Sequence, residues 1–451
     1  MQFRKEYRIT AIVGQWLWRC CVAGMMLSSH QCWSASIQRF NAGCGGVSFS
    51  SNDEFIVFSS SDSSLSDGQA ASVCNIYRQH LKTGEIVLVS ANANKVIGND
   101  DSGATAISAD GRYVAFESYA SNLVPGDTSR NNLRSTDTYR TLDVFLKDLN
   151  TGLLKRVSKK SWRPSISPNG RHVFFISGDL NSFQEERGYA KFFFRKDMLT
   201  GIKERVFTSR KPVKNADYPN LSADGRYLVF ESFTDNLVAN DHNNSVDIFV
   251  KDLLTGKTKR ISTTSQGEES NGSSFWPTIS GDGHYAVFSS KATNLVVGDD
   301  NDLEDIFRKD LVTGEIRMVS ADAAGVISNG SNFFPSISAN GRYVTFESLA
   351  ENFVTASTNN AVFDVFLKDM QTGTLSRISA DDQGIAGNQG SSFPFISASG
   401  RYVSFFSGAS DLVPGGTDRD SLGNYVYLYD VLGKPCDFSI GDASKSGISD
   451  C

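Results

Sequence analysis

"ISADGRYVAFES", Ile107 to Ser118, sets a serine and an aspartate–glycine pair ahead of a short apolar run, the pattern of a tight turn feeding a strand. The same wording returns as "NLSADGRYLVFES" (Asn220 to Ser232), "ISGDGHYAVFSS" (Ile279 to Ser290), "ISANGRYVTFES" (Ile337 to Ser348) and "ISASGRYVSFFS" (Ile396 to Ser407). Aligned on the phenylalanine of the apolar run, the units fall at Phe58, Phe116, Phe175, Phe230, Phe288, Phe346 and Phe405, spaced by 58, 59, 55, 58, 58 and 59 residues. A period this steady marks a repeat architecture of seven units, the first of them degenerate, "SSNDEFIVFSS" from Ser50.

Each unit carries four strand signals. A short β-branched strand A ends at a turn such as Asp110-Gly111 or Asn340-Gly341, where glycine supplies a positive φ, and strand B is the apolar "RYVAFES". After a polar loop comes strand C, "DVFLKDL" at Asp143 to Leu149 or "DIFVKDL" at Asp247 to Leu253. A second turn at Gly152, Gly256, Gly314 or Gly373 reverses the chain into strand D, rich in Lys and Arg, as suits an outer edge. Four antiparallel strands per repeat, with no helical periodicity beyond the N-terminus, predict an all-β, seven-bladed β-propeller with strand A lining the central channel; six- or eight-bladed closures are the alternatives. Two segments compete to close the ring. "SIQRFN" at Ser36 to Asn41 reads like the strand D "TLSRIS" at Thr374 to Ser379, and "KPCDFS" at Lys434 to Ser439 follows Gly433 where a last strand D belongs.

With the Ser-x-Asp-Gly turn before an apolar strand and the Asp-x-x-Thr-Gly turn after strand C, the chain resembles the TolB-type, WD-like β-propeller repeat family over roughly Ser36 to Ser439. That resemblance implies an envelope or secreted scaffold that binds proteins; similar blades also serve as accessory domains of serine peptidases and as whole lyases. Neither enzyme type has further support, because the chain has no Gly-x-Ser-x-Gly elbow and its five histidines, at positions 30, 80, 172, 242 and 284, are scattered. His172 and His284 read as substitutions within a structural repeat, so no catalytic residue is assigned.

Composition bounds the partners. The 451 residues are 40% hydrophobic and 21% charged, with 39 Gly and 31 Phe, which describes a globular chain with frequent turns. A net charge of −6 without a basic run or an RNA-reading aromatic motif excludes the electrostatic footprint of nucleic-acid binding. At the N-terminus, Arg4, Lys5 and Arg8 precede "ITAIVGQWLWRCCVAGMMLSS" and then Ser34, Ala35 and Ser36, the order of a secretory signal. Residues 1–35 are accordingly read as a signal peptide, 36–439 as the propeller and 440–451 as a tail, with periplasmic or secreted localisation. An uncleaved membrane anchor and an ordinary N-terminal helix are the alternatives. Of seven cysteines, Cys44, Cys74, Cys436 and Cys451 remain after removal of the signal, compatible with two disulfides in any of three pairings.

Two groups of residues are candidates for binding. The B–C loops "NLVANDHNNSVDIF" and "NLVVGDDNDLEDIF" share one spacing of oxygen side chains, Asp241, Asn243, Asp247 and Asp299, Asn301, Asp305, which suits Ca²⁺. The competing reading is that they cap and turn the loops. The second group is aromatic and sits ahead of a proline before strand A: Trp162, Tyr218, Phe275, Trp276, Phe333, Phe334 and Phe393. These either pack between blades or ring the channel mouth as anchors for a partner. The tight A–B and C–D turns share one face and the long B–C and D–A loops the other. The expectation is therefore a non-enzymatic scaffold that binds a protein or peptide on the B–C/D–A face, with a polysaccharide hydrolase or lyase as the alternative.

Overall fold

The computed structural model describes residues 36–40, 46–66, 73–127, 142–178, 191–207, 216–353, 362–413 and 425–432. The chain divides into two compact units, Met1–Ser34 and Ala35–Cys451, and all described residues belong to the second. They form seven four-stranded antiparallel sheets arranged as the blades of a propeller, and the one helical element described is a short 3₁₀ turn, Ser63–Ser66. Blade four shows the pattern: strand A is Asp217–Leu221, strand B Tyr227–Ser232, strand C Asp247–Asp252 and strand D Thr258–Arg260.

The ring closes through the N-terminal segment. Ser36–Phe40 pairs antiparallel with Tyr425–Asp430, in register from Ser36 opposite Asp430 to Phe40 opposite Val426, and so supplies strand D of blade seven. The competing segment at 434–439 lies outside the described residues. Closure also has its own core, in which Phe406, Val426 and Leu428 of blade seven pack with Val47, Ile56, Phe58 and Tyr77 of blade one.

The repeated phenylalanine explains the period. In every blade it stands opposite an aromatic residue of strand C, as Phe116 does Phe145 and Phe405 does Tyr427, with ring centroids 5.6 to 6.1 Å apart. Apart from the partly buried Phe194 of blade three, these rings are fully or nearly fully buried, where such contacts add to the area they remove from water.

Turn chemistry accounts for the rest of the repeated wording. In the first quoted stretch the Ser108 hydroxyl donates to Asp110, Asp110 accepts the Arg112 N–H, and Ser108 Oγ accepts the Tyr113 N–H. The aspartate is a turn former. Arg112 then reaches Asp148 at the end of strand C, a two-pronged ion pair repeated by Arg226 with Asp252 and by Arg342 with Asp369. These pairs tie the A–B and C–D turns together on one face. Blades also clasp at depth: Lys309 donates to the carbonyls of Thr263 and Thr264 in the preceding blade's D–A loop, and Lys147 and Lys368 repeat the contact.

Candidate functional site

Proline in strand A breaks the ladder, because it has no N–H to donate. The strand answers with a bulge at the preceding residue: pairing skips between Trp162 and Ser165, Asp217 and Asn220, Phe275 and Thr278, Phe333 and Ser336, and Ser392 and Phe395. The bulged residues Arg163, Tyr218, Trp276, Phe334 and Phe393 all take a left-handed backbone, φ 48 to 51°. Ala104 and Gly46 hold the aligned positions in blades two and one, with φ of 30° and 80°. For a bulky side chain this conformation costs on the order of 1–3 kcal/mol, and the surrounding sheet must hold it in place.

Three glutamates, two of them buried and Glu117 partly so, do part of that holding. Glu117, Glu231 and Glu347 on strand B accept the backbone N–H of Arg163, Trp276 and Phe393 in the next blade, at 2.8, 2.9 and 2.8 Å. Burial pushes the Glu347 carboxyl up to about 7, opposed by the bond from Phe393, and burial raises Glu117 as well.

The seven aligned residues, six of them at bulges, line a central cavity of about 760 Å³. Its circumference is uneven. Gly46 and Ala104 leave a low side with Glu117, while Tyr218, Trp276, Phe334 and Phe393 build an aromatic wall. Along the wall, Trp276 and Phe334 are 4.5 Å apart, as are Phe334 and Phe393, and the Arg163 guanidinium lies 4.0 Å over the Tyr218 ring. Phe393, at one end of the wall, remains 44% exposed. The opposite end is crowded by small turn residues: a Cβ added at Gly281 would lie 2.8 Å from Ala339 Cβ and 3.2 Å from Ala223 Cβ. Hydrogen bonds between turns, Ala223 to Gly281 and Ala339 to Ala398, knit that end. Among the described residues, the turn end is thus the closed end of the cavity.

Of the aromatic residues singled out in the sequence, Tyr218, Trp276, Phe334 and Phe393 line this mouth. Trp162, Phe275 and Phe333 sit one residue earlier: Trp162 packs on the core shared by blades three and four, and Phe275 and Phe333 each flank Trp276 at 5.5 Å. The residue before proline in blade three is Arg163, and with Glu117 it is the contribution that aromatic content alone does not reveal. The signals were present in position: the residue before proline in blades three to seven, and the glutamate of "FES" in blades two, four and six.

The acidic loops lie elsewhere. In blade four, Asp241, Asp247 and Glu269 bring carboxylate oxygens within 4.8 Å of one another, and Arg260 sits among them, 3.2 Å from Asp241 and 3.4 Å from Asp247. Asn243 turns its amide nitrogen to Asp247 at 3.1 Å, and Asn301 does the same to Asp305 at 3.2 Å, so both asparagines brace a carboxylate by donation. Burial first, then the charge of Asp247, lifts Asp241 to about 6. In blade five, burial lifts Asp299 to about 6 and Asp305 to about 7, the latter with Asp299's charge adding.

No family model matches the chain, and no curated protein matches it. Among solved structures it is similar to an oligogalacturonate lyase in complex with manganese, at 12% identity over 88% of this chain and 96% of that one, with a TM-score of 0.52. It is also similar to an acylaminoacyl peptidase of Pyrococcus horikoshii, at 13% identity over 81% of this chain and 49% of that one, with a TM-score of 0.50. A putative TolB from Agrobacterium tumefaciens aligns at 16% identity over 65% of this chain and 83% of that one, with a TM-score of 0.38. At these identities the likeness to the first two is one of fold alone.

Proposed function

We propose that this chain is an exported, non-enzymatic scaffold that seats a protein or peptide segment in the mouth of its channel on the B–C/D–A face. The observation that supports it most is the arc of Tyr218, Trp276, Phe334 and Phe393, projected by strained bulges over a cavity narrowed at its other end. Large rings held rigid beside an open, low side are the composition of a binding hot spot, where apolar area is buried at little entropic cost. Arg163 and Glu117 give the low side its polar groups. Export is supported by the basic-then-apolar N-terminus, and the four cysteines beyond it would suit disulfides in an oxidising compartment.

The alternative, an enzyme acting on a polysaccharide, takes its support from the fold shared with the oligogalacturonate lyase and from rings able to stack on sugars. Such chemistry calls for a pair of carboxylates at one cavity. Among the described residues of the channel wall the carboxylate is Glu117, engaged with the Arg163 amide, while the raised pair Asp299 and Asp305 lies in a blade-five loop. The test is to isolate the partner from envelope or culture-supernatant fractions and titrate it against wild type, Trp276→Ala and Phe334→Ala. Each substitution should weaken binding about tenfold or more. Unchanged affinity in both, or release of oligosaccharides from a polygalacturonate substrate, would overturn the scaffold reading.

A further inference from the structure

Aspartates at the start of strand C are matched by an arginine on strand D thirteen residues later: Arg156 with Asp143, Arg260 with Asp247 and Arg377 with Asp364, at 3.3, 3.4 and 3.3 Å. In blades two and four the same guanidinium also holds a B–C loop aspartate, Asp127 at 3.0 Å and Asp241 at 3.2 Å. Removing two carboxylates from water is costly, and here the arginine supplies the compensating charge. Blade one has lost both sides of the arrangement, with Asn75 and Leu88 in these places.

Blade five has lost only one side. Met318 stands opposite Phe307 as Arg260 stands opposite Phe249, so methionine takes the arginine's position. Both aspartates remain, Asp299 at 5% and Asp305 at 0% exposure. Asp305 is braced by neutral donors alone, Ser320, Asn332 and Asn301. Asp299 Oδ1 is buried without a hydrogen-bond partner, and Asp299 lies within electrostatic reach of Asp305. Among the described residues no lysine or arginine pairs with either: Lys291 pairs with Glu304, Arg308 donates to the Gly341 carbonyl, and Lys309 donates to the carbonyls of Thr263 and Thr264. The surrounding stretch "DDNDLED", Asp299 to Asp305, holds five acidic residues where blade four's "DHNNSVD" holds two.

We propose that blade five binds Ca²⁺ through Asp299 and Asp305, the metal ion taking the role that arginine plays in blades two and four. An oxygen-rich loop with two carboxylates suits Ca²⁺, which accepts six to eight oxygens in flexible geometry, whereas Mg²⁺ demands a near-ideal octahedron. A divalent ion also neutralises both charges at once. In blade four Arg260 already supplies the compensating charge.

The proposal is tested on the full chain, stripped with chelator and titrated with calcium chloride by calorimetry and by thermal melting. Wild type should bind one ion, and its melting temperature should climb with ion concentration over Kd. Met318→Arg should abolish binding and melt in chelator no lower than wild type, because it installs the arrangement the fold uses twice already. Asp299→Asn should also abolish binding, and Arg260→Met should raise the stoichiometry to two. A wild-type curve unmoved by millimolar Ca²⁺, calcium binding retained by Met318→Arg, or an equal shift from Mg²⁺ would overturn it.

Discussion

At Gly341 φ is +70°, and a Cβ there would lie 2.2 Å from the Tyr285 ring; at Gly256 φ is +73°, and a Cβ would meet open space. Both turns need left-handed backbone, but only the A–B turn glycine is also pressed against the preceding blade. Gly256→Ala should therefore cost about 1 kcal/mol, and Gly341→Ala about 3 kcal/mol once overpacking is added, compared by denaturant midpoints. Equal losses would mean that Tyr285 moves aside freely. Glu347 makes a second residue-scale test. Its carboxyl, ordinarily near 4.5, is held at about 7 by burial, so the protonated form favours the fold. That contribution is complete below pH 4.5 and is lost as pH rises through about 7, a fall on the order of 3 kcal/mol. Glu347→Gln keeps an acceptor for the Phe393 N–H and removes the titration, so it should flatten the pH profile of stability between those values. A profile as steep as that of wild type would place the titration on another group.

At the scale of the element, the closing strand is the clearest case of physics beyond local wording. "SIQRFN" and "KPCDFS" each carry a plausible outer strand, and nothing within either segment ranks them. What decides is register against Tyr425–Asp430, a contact between opposite ends of the chain. Starting the chain at residue 41 removes strand D of blade seven and exposes its edge. That truncation should lower the melting temperature and open blades seven and one to proteolysis first, since their shared core lies at the seam. The blades themselves were legible because each strand and turn is written locally and seven times over. The mouth was half legible. Aromatic residues before proline could be read, but which of two neighbours faces the channel depends on the bulge, as Arg163 displaces Trp162 from that role. The loop aspartates were visible too; the arginine that separates blade four from blade five lies on another strand, so spacing within the loop could not sort them.

Across the whole molecule, the two faces of the propeller differ in how firmly the backbone is held. The turn face is knitted by Arg–Asp pairs and turn-to-turn hydrogen bonds, whereas the opposite face carries left-handed residues that the fold must hold against their preference. Phe393 measures that opposition best, because it is the most exposed of the wall residues and its φ is +51°. Replacing it with alanine removes the contact with Phe334 and keeps the strain; replacing it with glycine removes both. In an ordinary strand, glycine is less stable than alanine by roughly 0.5–1 kcal/mol. Here the order should invert, with Phe393→Gly more stable than Phe393→Ala by about 1 kcal/mol and close to wild type, while both lose affinity for the partner. The two variants share the lost ring, so their difference in denaturant midpoint reports the backbone alone. Alanine equal to or above glycine would show that the bulge is relaxed, and that the aromatic wall is held out by packing rather than by strain stored in the sheet.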